Sequence, residues 1–379
     1  GVGVIAAPPL FERVESDGKY TVDFFFFPSL GLLQRSTLLR RNRTLRRIFK
    51  VAAYPIGAAR TWWALRQESP GILHVQWTPI PLIDGFLLRA LKSRGWTIVY
   101  TAHDAPPSGS DRLAIRQARW MLRATDAVIV HTPQQAQRIV DAFPILSGRT
   151  RIVRHGAVPR PLPTASERAE ARKSLGIGAE RRVLLFFGMI KSYKGLEYLI
   201  EALPAVKEKF PDVLLVIAGE PLISLRRFKR QISRCGVENN VALYPGFIPE
   251  RQVPAFFRSA DMLVAPYVQV GASGVVVLAQ EQGVPVVVSR VGGLPNFVEG
   301  HDCGFVVEPR SAPALSEAIC KALENREELA EMGLRGWLHL HRDNLWPDVA
   351  RQTNVVYDRA SIPTRGRESI AMSRVPLTP

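Results

Sequence analysis

The sequence predicts an α/β protein built from two doubly wound, parallel-sheet domains of similar size. Three observations predict it. Short runs rich in Val, Ile, Leu and Phe alternate with helix-length amphipathic segments, the pattern of parallel strands joined by helical crossovers. The 379 residues exceed what one hydrophobic core usually serves. Several apolar runs end in glycine-bearing turns that open helices, as at Phe187-Gly188 and Ser273-Gly274. Sheets of this kind bind ligands outside the carboxyl ends of their strands.

In the first half the expected strands are Val22–Phe27, Ile72–Trp77, Thr97–Thr101, Ala127–His131 and Arg151–Arg154. The Pro159–Pro163 stretch then stiffens the chain ahead of a charged segment, Ala165–Lys173, and marks a domain boundary. The second half reads as strands Arg182–Phe187, Val213–Ala218, Val241–Tyr244, Met262–Ala265, Pro285–Ser289 and Gly304–Val307. Helices are expected between them at Gly195–Lys209, Ser224–Cys235, Val253–Ser259, Gly274–Gln282 and Ala312–Asn325, with a last helix at Pro347–Arg359. Residues 361–379 read as a flexible tail. No internal repeat of solenoid length is present.

Composition narrows the function classes. No apolar run of about 18 residues is present, so no membrane-spanning helix is expected, and Pro28 and Gly31 interrupt the apolar Phe24–Leu33 stretch. Cys235, Cys303 and Cys320 are few, odd in number and far apart, which argues against a disulfide framework and for a reducing compartment. No secretory signal pattern is visible, and the expected location is the cytoplasm, on the inner face of the cell membrane. The chain opens on Gly rather than Met, which leaves room for native residues ahead of it. The histidines show no metal-ligand spacing, and no Asp-x-Asp element offers a divalent-metal site.

The formal charge of +16 is concentrated: no acid occurs between Asp23 and Glu68. At the helical period, Arg40, Arg43, Arg46, Arg47 and Lys50 fall on one arc, and Leu38, Leu45, Ile48, Phe49 and Ala52 on the other. A basic amphipathic helix of this kind reads as an element that meets an anionic membrane surface. A core helix with a solvated basic face gives the same pattern. No recognised nucleic-acid module accompanies the charge, so nucleic acid is not an expected partner.

The most chemically suggestive segments are two strand-to-helix turns. Ala272, Ser273 and Gly274 carry almost no side chain, so the backbone N–H groups of Ser273, Gly274 and Val275 can approach an anion at a helix N-terminus. Gly188 to Gly195 ends a strand, carries Lys191 and Lys194 and opens a second helix. Two such sites suggest a diphosphate held from two sides. A plain tight turn and two exposed loop lysines are the bland alternatives. The strand-end rule gathers His103, Gly188, Glu220, Phe247 and Ser273 around one interdomain cleft.

Gly188-Met-Ile-Lys-Ser-Tyr-Lys-Gly195, Ala218-Gly-Glu-Pro221, Pro266-Tyr267, Ser273-Gly274 and Gly283-Val-Pro-Val-Val287 recur in that order in retaining glycosyltransferases of the GT-B fold. The chain resembles family 4 of those enzymes, in its bacterial polysaccharide branch. The likeness is continuous over residues 150–358; the first half matches at Thr101-Ala-His103-Asp104 and in strand order. The resemblance implies two Rossmann-like domains facing a cleft, an acceptor domain over 1–158 and a donor domain over 159–344. It also implies that residues 345–360 cross back onto the first domain.

The implied donor is a UDP- or GDP-linked sugar, with no separate cofactor and no metal. Lys191 and Lys194 would neutralise the departing diphosphate, as fixed cations lower such barriers. His103 would face the donor sugar, or alternatively cap its strand with Asp104 as partner. His155, at the entry to the linker, reads as a hinge residue. Glu220 would bind ribose hydroxyls or cap a turn, and Phe247 and Ile248 would meet the base or pack in the core. Three positions depart from the family pattern: Val270 and Leu278 stand where many relatives carry glutamates, and Asn296 replaces another. The expected activity is metal-independent, retaining transfer of a sugar to a lipid-linked or polysaccharide-precursor acceptor. A non-catalytic GT-B partner in a membrane assembly complex, or an epimerase or phosphorylase, are the rivals.

Overall fold

The computed structural model describes residues 3–6, 21–24, 43–103, 112–158, 160–269 and 273–361. The first domain contains two parallel sheets. Strands β1 (Gly3–Ala6) and β2 (Thr21–Phe24) pair with each other. Strands β3 (Ile72–Val75), β4 (Thr97–Thr101), β5 (Ala127–Val130) and β6 (Thr150–Ile152) form a second sheet in the order β3-β4-β5-β6. Its helices are α1 (Arg43–Leu65), α2 (Pro81–Lys92), α3 (Arg112–Leu122) and α4 (Pro133–Ala142). Helix α1 runs through Pro55 and docks on α2, where the buried Tyr54 hydroxyl donates to Asp84 Oδ1 at 2.5 Å.

The second domain carries one parallel six-stranded sheet. Its strands are β7 (Arg182–Phe187), β8 (Val213–Gly219), β9 (Val241–Pro245), β10 (Met262–Ala265), β11 (Val286–Ser289) and β12 (Gly304–Val307). The order across the sheet is β12-β11-β10-β7-β8-β9. Chain order therefore runs outward one way from β7 and then outward the other way from β10. The point of reversal, between β7 and β10, is where such sheets leave a crevice for a ligand. The connecting helices are α5 (Ala165–Ser174), α6 (Leu196–Lys209), α7 (Arg226–Arg234), α8 (Val253–Ser259), α9 (Gly274–Glu281) and α10 (Ala312–Glu324).

The uninterrupted apolar composition of β7 follows from its position. Leu184 and Phe186 enter one core with α6 and α10, while Val183, Leu185 and Phe187 enter a second core with α8 and α9. A strand buried on both faces has no polar alternation. The first domain's sheet is different. Ile98, Val128 and Val130 face α2 and its neighbours. The opposite face, with Val99, Ala127, Ile129 and Val153, is covered by Val349, Val356 and Ala360 of the last helix, α12 (Trp346–Ser361).

Several sequence expectations are adjusted, among them the ends of β5 and β6, which close at Val130 and Ile152. The β3 ladder ends at Val75, so Gln76 and Trp77 lie beyond it. A long helix, α11 (Arg326–Asp343), occupies a segment that the apolar pattern left unassigned; Asn325 caps it by accepting from the backbone N–H groups of Glu327 and Glu328. Ser361 still belongs to α12, and residues 362–379 lie outside the described residues. Among the described residues no helix is long and apolar enough to cross a membrane.

The two domains meet along a short crossover. Ala157 pairs with Leu345 in an isolated parallel bridge, with Ala157 N–H donating to the Asn344 carbonyl at 2.8 Å. The linker continues past Val158, whose N–H donates to Glu281 Oε1 at 2.7 Å. Helix α5 then anchors the second domain through Asp261, which accepts from Arg168 and Arg172 and from the Val183 N–H at 2.7 Å. Removing the Asp261 carboxylate leaves Arg172, only 12 % exposed at its side chain, without its charge partner. Asp261→Ala should therefore destabilise the second domain by about 3–5 kcal/mol, measured by denaturant unfolding. A change within a few tenths of a kcal/mol would show that the ion pairs do not hold α5 in place.

Candidate active site

The crevice at the sheet's reversal point is formed by two turns. The first follows β7. Gly188 has φ 97°, and Gly195 has φ 66° and lies so close to the Pro266 carbonyl that any side chain would overlap it. Only glycine reaches both conformations without strain. Between them, the Ile190 N–H donates to the Glu220 carbonyl at 2.8 Å and the Leu222 N–H to the Ile190 carbonyl at 3.0 Å. This ties the turn to the end of β8.

Lys191 and Lys194 behave differently. Lys191 is half-buried, with its Nζ 5.5 Å from the Tyr193 ring centre. Lys194 is 7 % exposed. Its Nζ donates to the Phe187 carbonyl at 3.2 Å and lies 5.1 Å from the centre of the Tyr267 ring. Burial pulls its pKa down to about 8, with the Lys191 charge adding to the effect and Tyr193 opposing it. A cation kept in so dry a place is costly unless an anion joins it.

The second turn follows β10. Tyr267 is fully buried; its pKa is pushed up to about 12 by desolvation, and the Ser273 side chain hydrogen-bonds to it. Ser273 is the residue ahead of α9 and gives no side-chain cap to the helix. The first N–H groups of α9, from Gly274 and Val275, have no partner within the helix by position. The two turns are in contact: a Cβ on Gly188 would stand 3.5 Å from Val275 Cγ2 and 2.9 Å from Lys194 Nζ. Gly188, Lys194, Ser273, Gly274 and Val275 thus form one locus, with a buried cation on one side and a helix N-terminus on the other.

The first domain reaches this locus through histidines. A Cβ on Gly274 would lie 3.5 Å from His155 Nε2. The rings of His155 and His131 are 5.8 Å apart, and those of His131 and His103 5.1 Å apart. Trp77, 67 % exposed, stacks on His103 with centres 4.9 Å apart and planes at 20°. At the rim, Gln134 and Asn296 exchange two amide hydrogen bonds of 2.9 and 2.5 Å across the domains.

Other expected site residues lie at the margin. Glu220 contributes its carbonyl to the Ile190 turn. Phe247 is 47 % exposed beyond β9, and Ile248 packs beside the second core. Arg43, Arg46, Arg47 and Lys50 fall within α1, away from the locus in the chain; Arg40, Asp104, Val270 and Ala272 lie outside the described residues. Glu281 points to the linker, not to the crevice. Among the described residues no group of three His, Cys, Asp or Glu side chains is arranged to hold a metal ion.

Sequence reasoning missed Gln76, Trp77, Gln134 and His131. A signal for the last was available. His74 in β3, His103 just past β4, His131 directly after β5 and His155 just past β6 place a histidine at the carboxyl end of four successive strands.

Comparisons with known proteins agree on the class. Residues 17–159 match the model described as Glycosyltransferase Family 4, and residues 167–336 match that described as Glycosyl transferases group 1. The chain is 28% identical over 298 residues to the D-inositol 3-phosphate glycosyltransferase of Corynebacterium glutamicum, covering 73% of this chain and 69% of that protein. The homologous enzyme of Corynebacterium efficiens is 26% identical over 299 residues, covering 73% and 68%. Among solved structures, sucrose-phosphate synthase from Thermosynechococcus elongatus superposes with a TM-score of 0.69 at 22% identity, over 80% of this chain and 77% of that one. HepE from Anabaena, solved with UDP-glucose, gives 0.72 at 17% identity, over 95% and 99%.

The burial of Lys194 has a measurable cost. Its folded pKa lies below that of an unfolded lysine, so the unfolded chain binds more protons between about 8 and 10.5. Stability from this group therefore rises with pH across that window. Lys194→Met should make the unliganded protein more stable than wild type at pH 7, by about 1–3 kcal/mol. The advantage should shrink as pH climbs above 8. Equal stabilities at all pH values would show that the ammonium is well solvated.

Proposed function

The chain belongs to the glycosyltransferases, a family 4 match in its first half and a group 1 match in its second, and on that premise we propose that it transfers a sugar from a nucleotide diphosphate donor, UDP- or GDP-linked, with retention and without a metal. The observation that carries this reading is the meeting of buried Lys194 with the N-terminus of α9 at the sheet's reversal point. Charge on a departing diphosphate would be met there by an ammonium, by Lys191 nearby and by backbone N–H groups of Ser273, Gly274 and Val275, an arrangement that favours the transition state electrostatically. The bond from the sugar's anomeric carbon to the diphosphate breaks first. The acceptor oxygen then bonds to the same face, and its proton passes to the leaving phosphate oxygen. His103 faces the donor sugar from the first domain, Glu220 serves the ribose, and Phe247 and Ile248 the base.

The acceptor in this reading is a lipid-linked or polysaccharide-precursor glycan, and the first domain sits on the cytoplasmic face of the cell membrane. Two features support it. The basic run lies in α1, and the same helix exposes Val51, Ile56 and Trp63, with Leu82 and Phe86 exposed on the adjoining α2. Exposed apolar side chains beside a run of cations suit an interface with anionic lipid.

A panel of UDP- and GDP-sugars, assayed with and without chelator, tests the chemistry. One donor should be turned over equally with chelator present, and NMR of the product should show the donor's anomeric configuration preserved. Inversion, or a metal requirement, would contradict the assignment. In the same system, replacing Lys191 and Lys194 with Ala should weaken nucleoside diphosphate binding by roughly 1.5–3 kcal/mol per lost charge-assisted contact, while nucleoside binding stays near wild type.

Sedimentation with vesicles tests the surface. Binding to anionic vesicles should exceed binding to neutral ones and fall as salt rises. Replacing Arg40, Arg43, Arg46 and Arg47 with Gln should remove the preference and leave donor affinity intact. Undiminished binding would point to a soluble acceptor.

A further inference from the structure

His103 is held by a hydrogen-bonded histidine chain whose proton positions can be worked out. The Val153 carbonyl can only accept, and it lies 3.0 Å from His131 Nδ1, so that nitrogen carries a proton. Burial, with smaller contributions from His103 and His155, pulls the pKa of His131 down to about 4, against the opposing Val153 hydrogen bond. The ring is therefore neutral near pH 7, and its Nε2 is a lone pair. That lone pair faces His103 Nδ1 at 3.2 Å. His103 Nδ1 must be the donor.

The far side of His103 is adaptable. Its Nε2 is 3.1 Å from Gln76 Oε1, which can only accept, while the Gln76 amide nitrogen is turned to His74 Nε2. A half-turn of that amide presents either an oxygen that accepts or an NH2 that donates. Gln76 in turn meets His74 Nε2 at 3.2 Å, and His74 is bonded at 2.7 Å to the Thr101 hydroxyl and at 2.7 Å to the Tyr357 hydroxyl of α12. Both hydroxyls can reverse direction. His74 is also neutral, its pKa pulled down to about 4 by burial first and by His103 second. The backbones are fixed as well. Buried Gln135 donates to the His103 carbonyl at 2.9 Å and accepts from the His131 N–H at 2.9 Å. Trp77, stacked on the His103 ring, opposes its rotation.

We propose that His131, clamped on the Val153 carbonyl, is a positioning residue that fixes His103 as the Nδ1-protonated tautomer and leaves His103 Nε2 as the ring atom whose proton or hydrogen bond changes, with Gln76 as the partner that follows either state. The inference rests on the reading of His103 as the group that faces the donor sugar. A ring so held can gain or lose a proton at Nε2 without turning, so the geometry set by these contacts persists through turnover. The tautomer it selects is the minor one for a free histidine side chain, which makes the effect observable.

The test is nitrogen–proton correlation NMR on full-length protein labelled with 15N-histidine, with His103 and His131 signals assigned from single variants. At pH 7.5 both rings should carry their proton on Nδ1. In His131→Leu, His103 should revert to the Nε2-protonated form. In His131→Gln, whose side-chain oxygen accepts from His103 Nδ1–H, it should not. Turnover of the sugar nucleotide selected by the donor panel should fall about tenfold or more in the Leu variant, with the donor KM little changed, and recover most of the way in the Gln variant. A wild-type spectrum with His103 protonated at Nε2 overturns the proposal, and so do Leu and Gln variants that match each other in tautomer and turnover. If the Leu variant does not fold, the wild-type spectrum alone decides. Inactivity with every donor would remove the glycosyl-donor reading and leave the tautomer result standing, so the two fail separately.

Discussion

The site depends on backbones approaching one another more closely than side chains permit. The carbonyl of Gly188 lies against Gly219, the carbonyl of Pro266 lies against Gly195, and His155 stands over Gly274. The first two contacts leave no room for a Cβ, while at Gly274 a Cβ would meet His155 at ordinary van der Waals distance. Together they draw the ends of β7, β8 and β10 and the start of α9 into one small volume. Lys194 is buried because of this crowding, and the N–H groups of α9 are aimed where they are for the same reason. The chemistry therefore rests on a geometric condition met by the sheet, before any charged side chain is considered.

Within that volume, cation and helix terminus have complementary defects. The ammonium of Lys194 is poorly hydrated, and the opening turn of α9 has unused donors without a side-chain cap. Both defects are tolerated because the large apolar cores on either side of β7 hold the sheet rigid. Destabilisation at the ligand end and surplus burial at the other end are two aspects of one design. The first domain contributes differently. Its buried His74 and His131 are neutral near pH 7 and hydrogen-bonded, so they bring orientation to the cleft and little charge.

Much of this was legible in the sequence. The six strands of the second domain were readable within a residue or so, because strands buried on both faces are written as continuous apolar runs such as the VLLFF of residues 183–187. The Gly188–Gly195 and Ser273–Gly274 turns were readable because small residues at strand ends have few other uses. The remainder was hidden for physical reasons. Helix α11 buries a face of Leu329, Gly333, Gly336 and Leu340, half of it glycine, so its apolar stripe is faint in the sequence. Gln76, Trp77 and Gln134 act through partners distant in the chain, His103 and Asn296, which no local pattern encodes.

The docking of α12 has a consequence for how the protein is made. Val99, Ala127, Ile129 and Val153 form a sheet face whose cover, Val349, Val356 and Ala360, is the last described helix. Ribosomes add on the order of 5–20 residues per second, so the domain that emerges first waits on the order of ten seconds or more, with an apolar face uncovered, while the whole second domain is synthesised. Over that interval the nascent chain is a natural client for a holdase chaperone. The first domain to leave the ribosome is the last to be completed.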